Sequence, residues 1–542
     1  MRRDIKPFNL VPFSLNKSLR KWQQEAFDAC KMAIYTGRKD YLCEATPGGG
    51  KTKLGLRVAH KFLFEGLAHR ICIVVPTDHL KRQWAKDATE FGIDLDPDFK
   101  NSQKYEAEDY HGIVITYAAL GQDPEIHKEL TENNKTIVIL DEVHHAGDSM
   151  TWGDAVRIAF DGAVFRLELS GTAFRSDDCT IPFINYENKI SKADYVYTYQ
   201  QAILDGVCRT VYFPAFDGRF RYRVGEETFD HSFKDNIEPD LVAKRLRTAL
   251  HAGGNWLKKV IQEAHAKLME IRSMDHRDAG GLIFAIDKKH AKEIACLIQN
   301  TLGIMPEVVV SEEAGSSKKI ENFSKGSEPW IVCVKMISEG VDIPRLRVGV
   351  YATNVKAELF FRQMTGRFVR MLSTLEGDQH AFIYIPEDRE MVKIAREIEE
   401  EREHALEEAE RKKAAGEGDG DMGLFGNDYT PARQGKFQIL SSHAGAMTMV
   451  KVNVGISGGA KFKKAAKGED LSVFELKLRL RDTINRLAKN LATSDARREQ
   501  NPKPDWYKYH RLWIDQGGKH MENETVEELK KREQWLKNLI QQ

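Results

Sequence analysis

Residues 45–52 read ATPGGGKT and follow a short apolar run. Glycines let backbone N–H groups approach an anion without a Cβ in the way, and a helix starting just past them adds the positive end of its dipole. These residue types at this spacing suit a polyphosphate. Thr46, Pro47, Gly48, Gly49 and Gly50 would shape the loop, the Lys51 ammonium would reach the β- and γ-phosphates, and the Thr52 hydroxyl would hold magnesium. The strict pattern has glycine where this chain has Ala45. Magnesium also needs a carboxylate across the loop, and residues 136–145, TIVILDEVHH, offer two. Asp141 would position the ion, and Glu142 would take a proton from the attacking water. A blander alternative is a Gly-rich turn with a chance GKT, and two acids capping a helix. The loop and the acids explain each other, so magnesium-dependent ATP hydrolysis is the expected chemistry.

That chemistry needs a rigid frame behind it. Between about residues 41 and 170, the β-rich runs DYLCEA, RICIVVP, GIVITY, TIVILDE and VFRLELS alternate with helical stretches. Each run is apolar on nearly every residue, as a strand buried on both faces would be. Such alternation predicts a parallel sheet with crossover helices. The phosphate loop leaves the first of these strands, and the acidic pair ends the fourth. The same grammar returns in GLIFAID, PEVVVS, PWIVCVK, RVGVYAT and HAFIYIP. The expected fold class is therefore α/β, with two such domains in tandem.

Taken in order, these stretches resemble the superfamily 2 helicases, the DEAD/DEAH-box motors. Asp141-Glu142-Val143-His144 resembles a DExH variant of their second motif. Ala45-x-x-Gly48-x-Gly50-Lys51-Thr52 is that superfamily's own form of the loop, which accounts for Ala45. LRKWQQEA, residues 19–26, resembles the adenine-reading motif, with Gln23 as the base contact and Gln24 as the neighbouring candidate. VPTDHLKRQW, residues 75–84, and ITYAAL, residues 115–120, resemble the nucleic-acid-contacting motifs of the first domain. SGTAFR, residues 170–175, resembles the motif that couples hydrolysis to movement through Ser170 and Thr172, and the resemblance gives His144 a coupling role as well. VKMISEGVDIPRLR resembles the fifth motif, with Glu339, Gly340 and Asp342 matching, the last two as nucleotide contacts. FFRQMTGRFVR resembles the sixth, with Gln363, Arg367 and Arg370 matching Q-x-x-G-R-x-x-R. The likeness is greatest to the branch that holds repair helicases and the motors of type I and III restriction enzymes. It is poorer for DEAD-box RNA helicases, because the third motif reads Ser-Gly-Thr and the sixth opens with Gln363.

The resemblance implies two RecA-like parallel-sheet domains and, here, a small, mainly helical C-terminal domain. The expected boundaries are an extension over 1–14, an ATP-binding domain over 15–210 and a hairpin with helical connector over 211–275. A second domain follows over 276–390, then a charged helix and flexible linker over 391–430, and an accessory basic domain over 431–542. Arg367 and Arg370 lie in the other domain from Lys51. As arginine fingers they would make hydrolysis conditional on domain closure, and closure would become mechanical work. ATP and Mg²⁺ are the implied cofactors. Nucleic acid is the implied partner, DNA ahead of RNA, with a nuclease as a further partner. The expected activity is that of a DNA helicase or translocase. A duplex-pumping subunit of a restriction or defence complex and an ATP-gated clamp are the alternatives.

Outside the motifs the readings are plainer. Asp217-Gly218, between alternating strands, is a hairpin signal, and Pro214 suggests an edge strand. That hairpin would set Arg219, Arg221 and Arg223 on one face and Phe220 and Tyr222 on the other; a solvated face over a packed one is preferred to a strand-gripping role. Lys+Arg and Asp+Glu both total 81, so the chain as a whole gives no sign of a polyanionic partner. Two segments hide inside that balance: residues 387–421 hold 14 acidic and 7 basic residues, and residues 451–510 the reverse. Val473, Leu476, Leu480, Ile484, Leu487 and Leu491 mark an amphipathic helix, with Lys477, Arg481 and Lys489 elsewhere on its surface. Trp506, Tyr509, His510 and Trp513 share one helical face, which suggests core ahead of a base-stacking platform. Thr525 and Glu528 form a capping box. Seven scattered cysteines without CxxC spacing argue against a zinc ribbon and fit a reduced compartment. With no long apolar run, no membrane association and a cytoplasmic location are expected.

Overall fold

The computed structural model describes residues 19–147, 150–171, 181–187, 190–274, 276–310, 315–334, 343–372, 375, 379–400, 437–449, 473–498, 504–505 and 507–541. The chain folds as two compact units. One comprises Met1–Glu44, Gly50–Val196 and Lys464–Gln542; the other comprises Ala45–Gly49 and Tyr197–Lys463.

The first unit holds β1 (Asp40–Ala45), β2 (Arg70–Val75), β3 (Leu95–Asp96), β4 (Gly112–Thr116), β5 (Thr136–Leu140) and β6 (Phe165–Ser170). The short β7 (Tyr186–Glu187) and β8 (Ile190–Ser191) pair with each other, and β9 (Tyr195–Tyr197) follows. The sheet order is β3-β4-β2-β5-β6-β1-β9. Pairing is parallel from β3 through to β1. Strands β2, β5 and β6 are buried along their whole length, because helices cover both faces of a parallel sheet. All five expected runs are strands. The order also sets β5, β6 and β1 side by side, with Leu140 opposite Glu168 and Glu44 opposite Ser170. Their carboxyl ends therefore lie along the same edge of the sheet.

In the second unit, β13 (Gly280–Ala285), β14 (Glu307–Val309), β15 (Trp330–Val334), β16 (Leu346–Ala352) and β17 (Ala381–Pro386) form a parallel sheet in the order β17-β16-β13-β15-β14. Ahead of them in sequence come β10 (Val211–Tyr212), β11 (Pro214–Val224) and β12 (Glu227–Ser232), and far behind them β18 (Phe437–Met449). β10 and the start of β11 both run parallel to β17. β11 is then flanked by β12 and β18 in an antiparallel ribbon.

The ribbon corrects two expectations. The hairpin turn lies at residues 225–226, between β11 and β12, and β11 runs straight through Asp217-Gly218. There the register against β18 shifts, and Asp217 Oδ1 accepts from its neighbour Gly218 N at 2.7 Å and from Phe233 N at 3.1 Å. Asp-Gly here makes a bulge, not a turn. Nor is β11 an edge strand; Pro214 is tolerated as its first residue. Phe220 and Tyr222 are fully buried, whereas Arg219, Arg221 and Arg223 are exposed, with Arg219 paired to Asp230 at 2.8 Å.

The fold also divides residues 431–542. β18 joins the second unit, while the helices Val473–Arg498, Lys508–Asp515 and Val526–Gln541 belong to the first. Ile484, Ala488, Leu491, Ala492, Tyr509, Leu529 and Leu536 make their core. Thr525 and Glu528 cap each other as expected, each backbone N–H donating to the other's side chain at 2.8 and 3.2 Å. Trp513 donates to Glu524, and the Glu524–Arg532 pair is buried beside His510, so this aromatic face is packed. Trp506 lies outside the described residues. Among the described residues no helix is long and apolar enough to cross a membrane.

Candidate functional site

Three strand ends build the site. β1 delivers the loop of residues 45–50, β5 delivers Asp141 and Glu142, and β6 delivers Ser170 and Gly171. Gly48 and Gly50 have φ of 79° and 102°, the left-handed region where a side chain is strained. Gly50 is the N-cap of the helix Lys51–Phe64, and no side chain caps it. The first N–H groups of such a helix need an acceptor from outside.

Lys51 opens that helix, and its Nζ donates to Glu142 Oε1 at 2.8 Å. The other carboxylate oxygen, Oε2, accepts from Gly171 N at 3.1 Å and lies 3.8 Å from His144 Nδ1. The same His144 nitrogen is 3.3 Å from Ser170 Oγ, and both residues are buried. One carboxylate thus joins the phosphate loop to the segment that follows β6. Glu142 holds this place at φ 48°, a conformation a non-glycine residue rarely adopts. Burial pushes its carboxyl up, but Lys51 and the two following histidines outweigh that and hold it low, at about 2.

Asp141 is 6% exposed. Its Oδ2 accepts from the Trp84 indole N–H at 2.8 Å, and its backbone carbonyl accepts from the Tyr117 hydroxyl at 3.0 Å. Burial, and then the charge of Glu142, push its carboxyl up to about 6. Thr52 follows Lys51 in the first helical turn. Gln23 is buried, and both ends of its amide are engaged: Nε2 donates to Gly50 O at 2.8 Å, and Oε1 accepts from Arg20 N at 2.8 Å. It latches the loop to the start of the helix Lys21–Tyr35. Gln24 instead points outward to Asp28.

Thr46, Pro47, Gly48 and Gly49 group with the second unit. There Thr46 N donates to Tyr197 O at 2.9 Å, and a Cβ on Gly48 would meet Val369 Cγ2 at 3.0 Å and Arg370 Cγ at 3.7 Å. Gln363 lies buried on the helix Glu358–Thr365; Arg367 follows in the next turn and Arg370 in an isolated bridge to Cys208, both half-buried. Thr172, Glu339, Gly340 and Asp342 lie outside the described residues. Neither Trp84 nor Tyr117 stands out singly in the sequence, although they lie in the runs VPTDHLKRQW and ITYAAL.

The residues suit a magnesium–triphosphate. An uncapped helix start and an ammonium match the phosphates, while a buried carboxylate and a hydroxyl match a hard cation.

Residues 16–175 match the family described as "Type III restriction enzyme, res subunit". The chain is 42% identical over 418 residues to "Uncharacterized protein Rv2917" of Mycobacterium tuberculosis, an alignment covering 76% of this chain and 68% of that one. It is 22% identical over 370 residues to "Putative ATP-dependent helicase IRC3" of Saccharomyces cerevisiae, covering 65% of this chain and 49% of that one. Among solved structures it resembles "The fragment structure of a putative HsdR subunit of a type I restriction enzyme from Vibrio vulnificus YJ016" at TM-score 0.50 and 19% identity, over 69% of this chain and 65% of that one. That likeness concerns the fold, two RecA-like parallel-sheet domains.

Proposed function

The chain belongs to the superfamily 2 helicases related to restriction-enzyme motor subunits, and from that premise we propose that it is a DNA motor, coupling magnesium-dependent ATP hydrolysis to translocation or unwinding. The observation that carries the reading is the Glu142 carboxylate, held by Lys51 on one side and by Gly171 on the other. A charge change at the phosphate loop reaches the segment after β6 through one side chain.

In this reading Gly48, Gly50 and Lys51 cradle the phosphates, and Thr52 and Asp141 hold magnesium, which supplies charge neutralisation of the transferred phosphoryl group. Lys51 cannot serve Glu142 and the phosphates equally. When the ammonium turns to the phosphates, Glu142 loses the charge that holds its pKa down and becomes a better base for water. His144 and Ser170, already within 3.3 Å of each other, register that release. Gln23 sets the loop against the first helix, and Thr172, Gly340 and Asp342 keep the roles the resemblance gives them. Gln363, Arg367 and Arg370 add polar and positive groups at the transition state; the support for this is the Q-x-x-G-R-x-x-R pattern.

DNA is favoured over RNA because the third and sixth motifs differ from those of DEAD-box RNA helicases. The family match over residues 16–175 also supports a second reading, a duplex-pumping subunit that works beside a nuclease. The test is ATPase stimulation by single-stranded DNA, duplex, forked DNA and RNA, side by side, with Glu142→Gln as control. Stimulation by duplex without strand displacement selects the second reading. Stimulation by RNA alone rejects both.

A further inference from the structure

Trp84 is buried, yet its one polar group points at the carboxylate that the proposed function gives to magnesium. It sits in the helix Asp78–Thr89, within the run VPTDHLKRQW. Its ring also lies against the helix that carries Lys51 and Thr52, since a Cβ on Gly55 would come within 2.9 Å of Trp84 Cη2. One side chain therefore bears on three elements: its own helix, the tip of β5 and the phosphate-loop helix.

Asp141 needs such a tether. Its backbone is fixed on both sides, the N–H donating to Val74 O at 2.9 Å and the carbonyl accepting from Tyr117. Its carboxylate is a different matter, because rotation about χ2 in aspartate has only a broad preference. The Trp84 N–H takes Oδ2 and so fixes the direction in which Oδ1 is presented. Groups that orient a metal ligand in this way commonly govern metal affinity without touching the metal.

We propose that Trp84 is a positioning residue: its indole N–H sets the rotamer of Asp141 for the metal. The proposal rests on the reading above, in which Asp141 takes magnesium.

The test uses the full chain with Mn²⁺ as the probe, its free concentration read by electron paramagnetic resonance, in the presence of a non-hydrolysable ATP analogue. Trp84→Phe keeps the ring and removes the N–H; Mn²⁺ affinity should fall about tenfold, with metal-free binding of the analogue unchanged. Gly55→Ala keeps the N–H and favours the helix but pushes the ring; it should weaken Mn²⁺ in the same direction by less. Parental Mn²⁺ affinity in a folded Trp84→Phe overturns the proposal, as does parental affinity in Gly55→Ala if Trp84→Phe fails to fold. A parent chain that binds no Mn²⁺ with the analogue overturns the magnesium reading itself, which is a separate result.

Discussion

Lys477 and Asp109 stand 368 positions apart in the sequence and form an ion pair in which the lysine side chain is wholly buried. The ammonium also lies 3.9 Å over the Tyr110 ring. The second oxygen of Asp109 accepts from Val526 N at 2.9 Å, at the first residue of another helix. One carboxylate thus fastens two C-terminal helices to the rest of the first unit. Burial pulls the Lys477 pKa down against the attraction of Asp109. Asp109→Ala leaves that ammonium with no countercharge from Asp109. Removing one partner of a buried pair costs about 3 kcal/mol or more. The expected result is a lower melting temperature and faster amide exchange over residues 473–541 than over β2 and β5. Lys477→Met, which removes the charge and keeps much of the volume, should cost less.

Glu142→Gln keeps the size of the side chain and removes its basicity. ATP binding should persist, with hydrolysis falling by roughly 10²–10⁴. The neutral amide also gives Lys51 a weaker partner. Single-turnover hydrolysis and nucleotide binding, measured on one preparation, check both statements. Hydrolysis at the parental rate rejects Glu142 as the base.

Arg367→Ala tests the second unit's contribution. Nucleotide binding should be near parental and turnover should fall by roughly 10³ or more, the range expected for an arginine acting at the transition state. Arg370→Ala should behave alike. Normal turnover in both variants would exclude these arginines from the transition state.

His111 carries a pH dependence. Its Nδ1 accepts from Asp94 N at 3.0 Å, and burial pushes its pKa down to about 4. The unfolded chain binds this proton near pH 6.5 and the folded chain does not until about pH 4. Stability from this residue is therefore full above pH 6.5 and declines as the pH falls towards 4, by about 3 kcal/mol in total. The stability gap between the parent and His111→Gln, followed by denaturant unfolding from pH 7.5 to 4.5, should shrink as the pH falls. A gap that does not change with pH removes His111 as the cause.

The parallel strands are legible in the sequence because burial on both faces leaves unbroken apolar runs, such as residues 71–75. The loop and acidic pair are legible because phosphate chemistry restricts residue type. What pairs across long distances is not. Asp217-Gly218 reads as a turn, since the same two residues serve turns and bulges alike. Only β18, arriving more than 200 positions later, decides for the bulge. Lys477 reads as part of a basic surface, yet it is a buried structural ion, because Asp109 is far away in sequence. Trp84 reads only as the last residue of VPTDHLKRQW, and nothing in its spacing reveals that its N–H meets Asp141.

The interleaving of segments also bears on how the chain is made. Residues 50–196 leave the ribosome early, whereas the helices that meet Asp109 follow only after residue 473. At ordinary rates of synthesis the interval is on the order of tens of seconds. For that time a nascent first unit exposes the surface that Lys477 and Val526 will later cover. Chaperone dependence during translation, and release of a sticky fragment by premature termination, are the vulnerabilities that this order of synthesis creates.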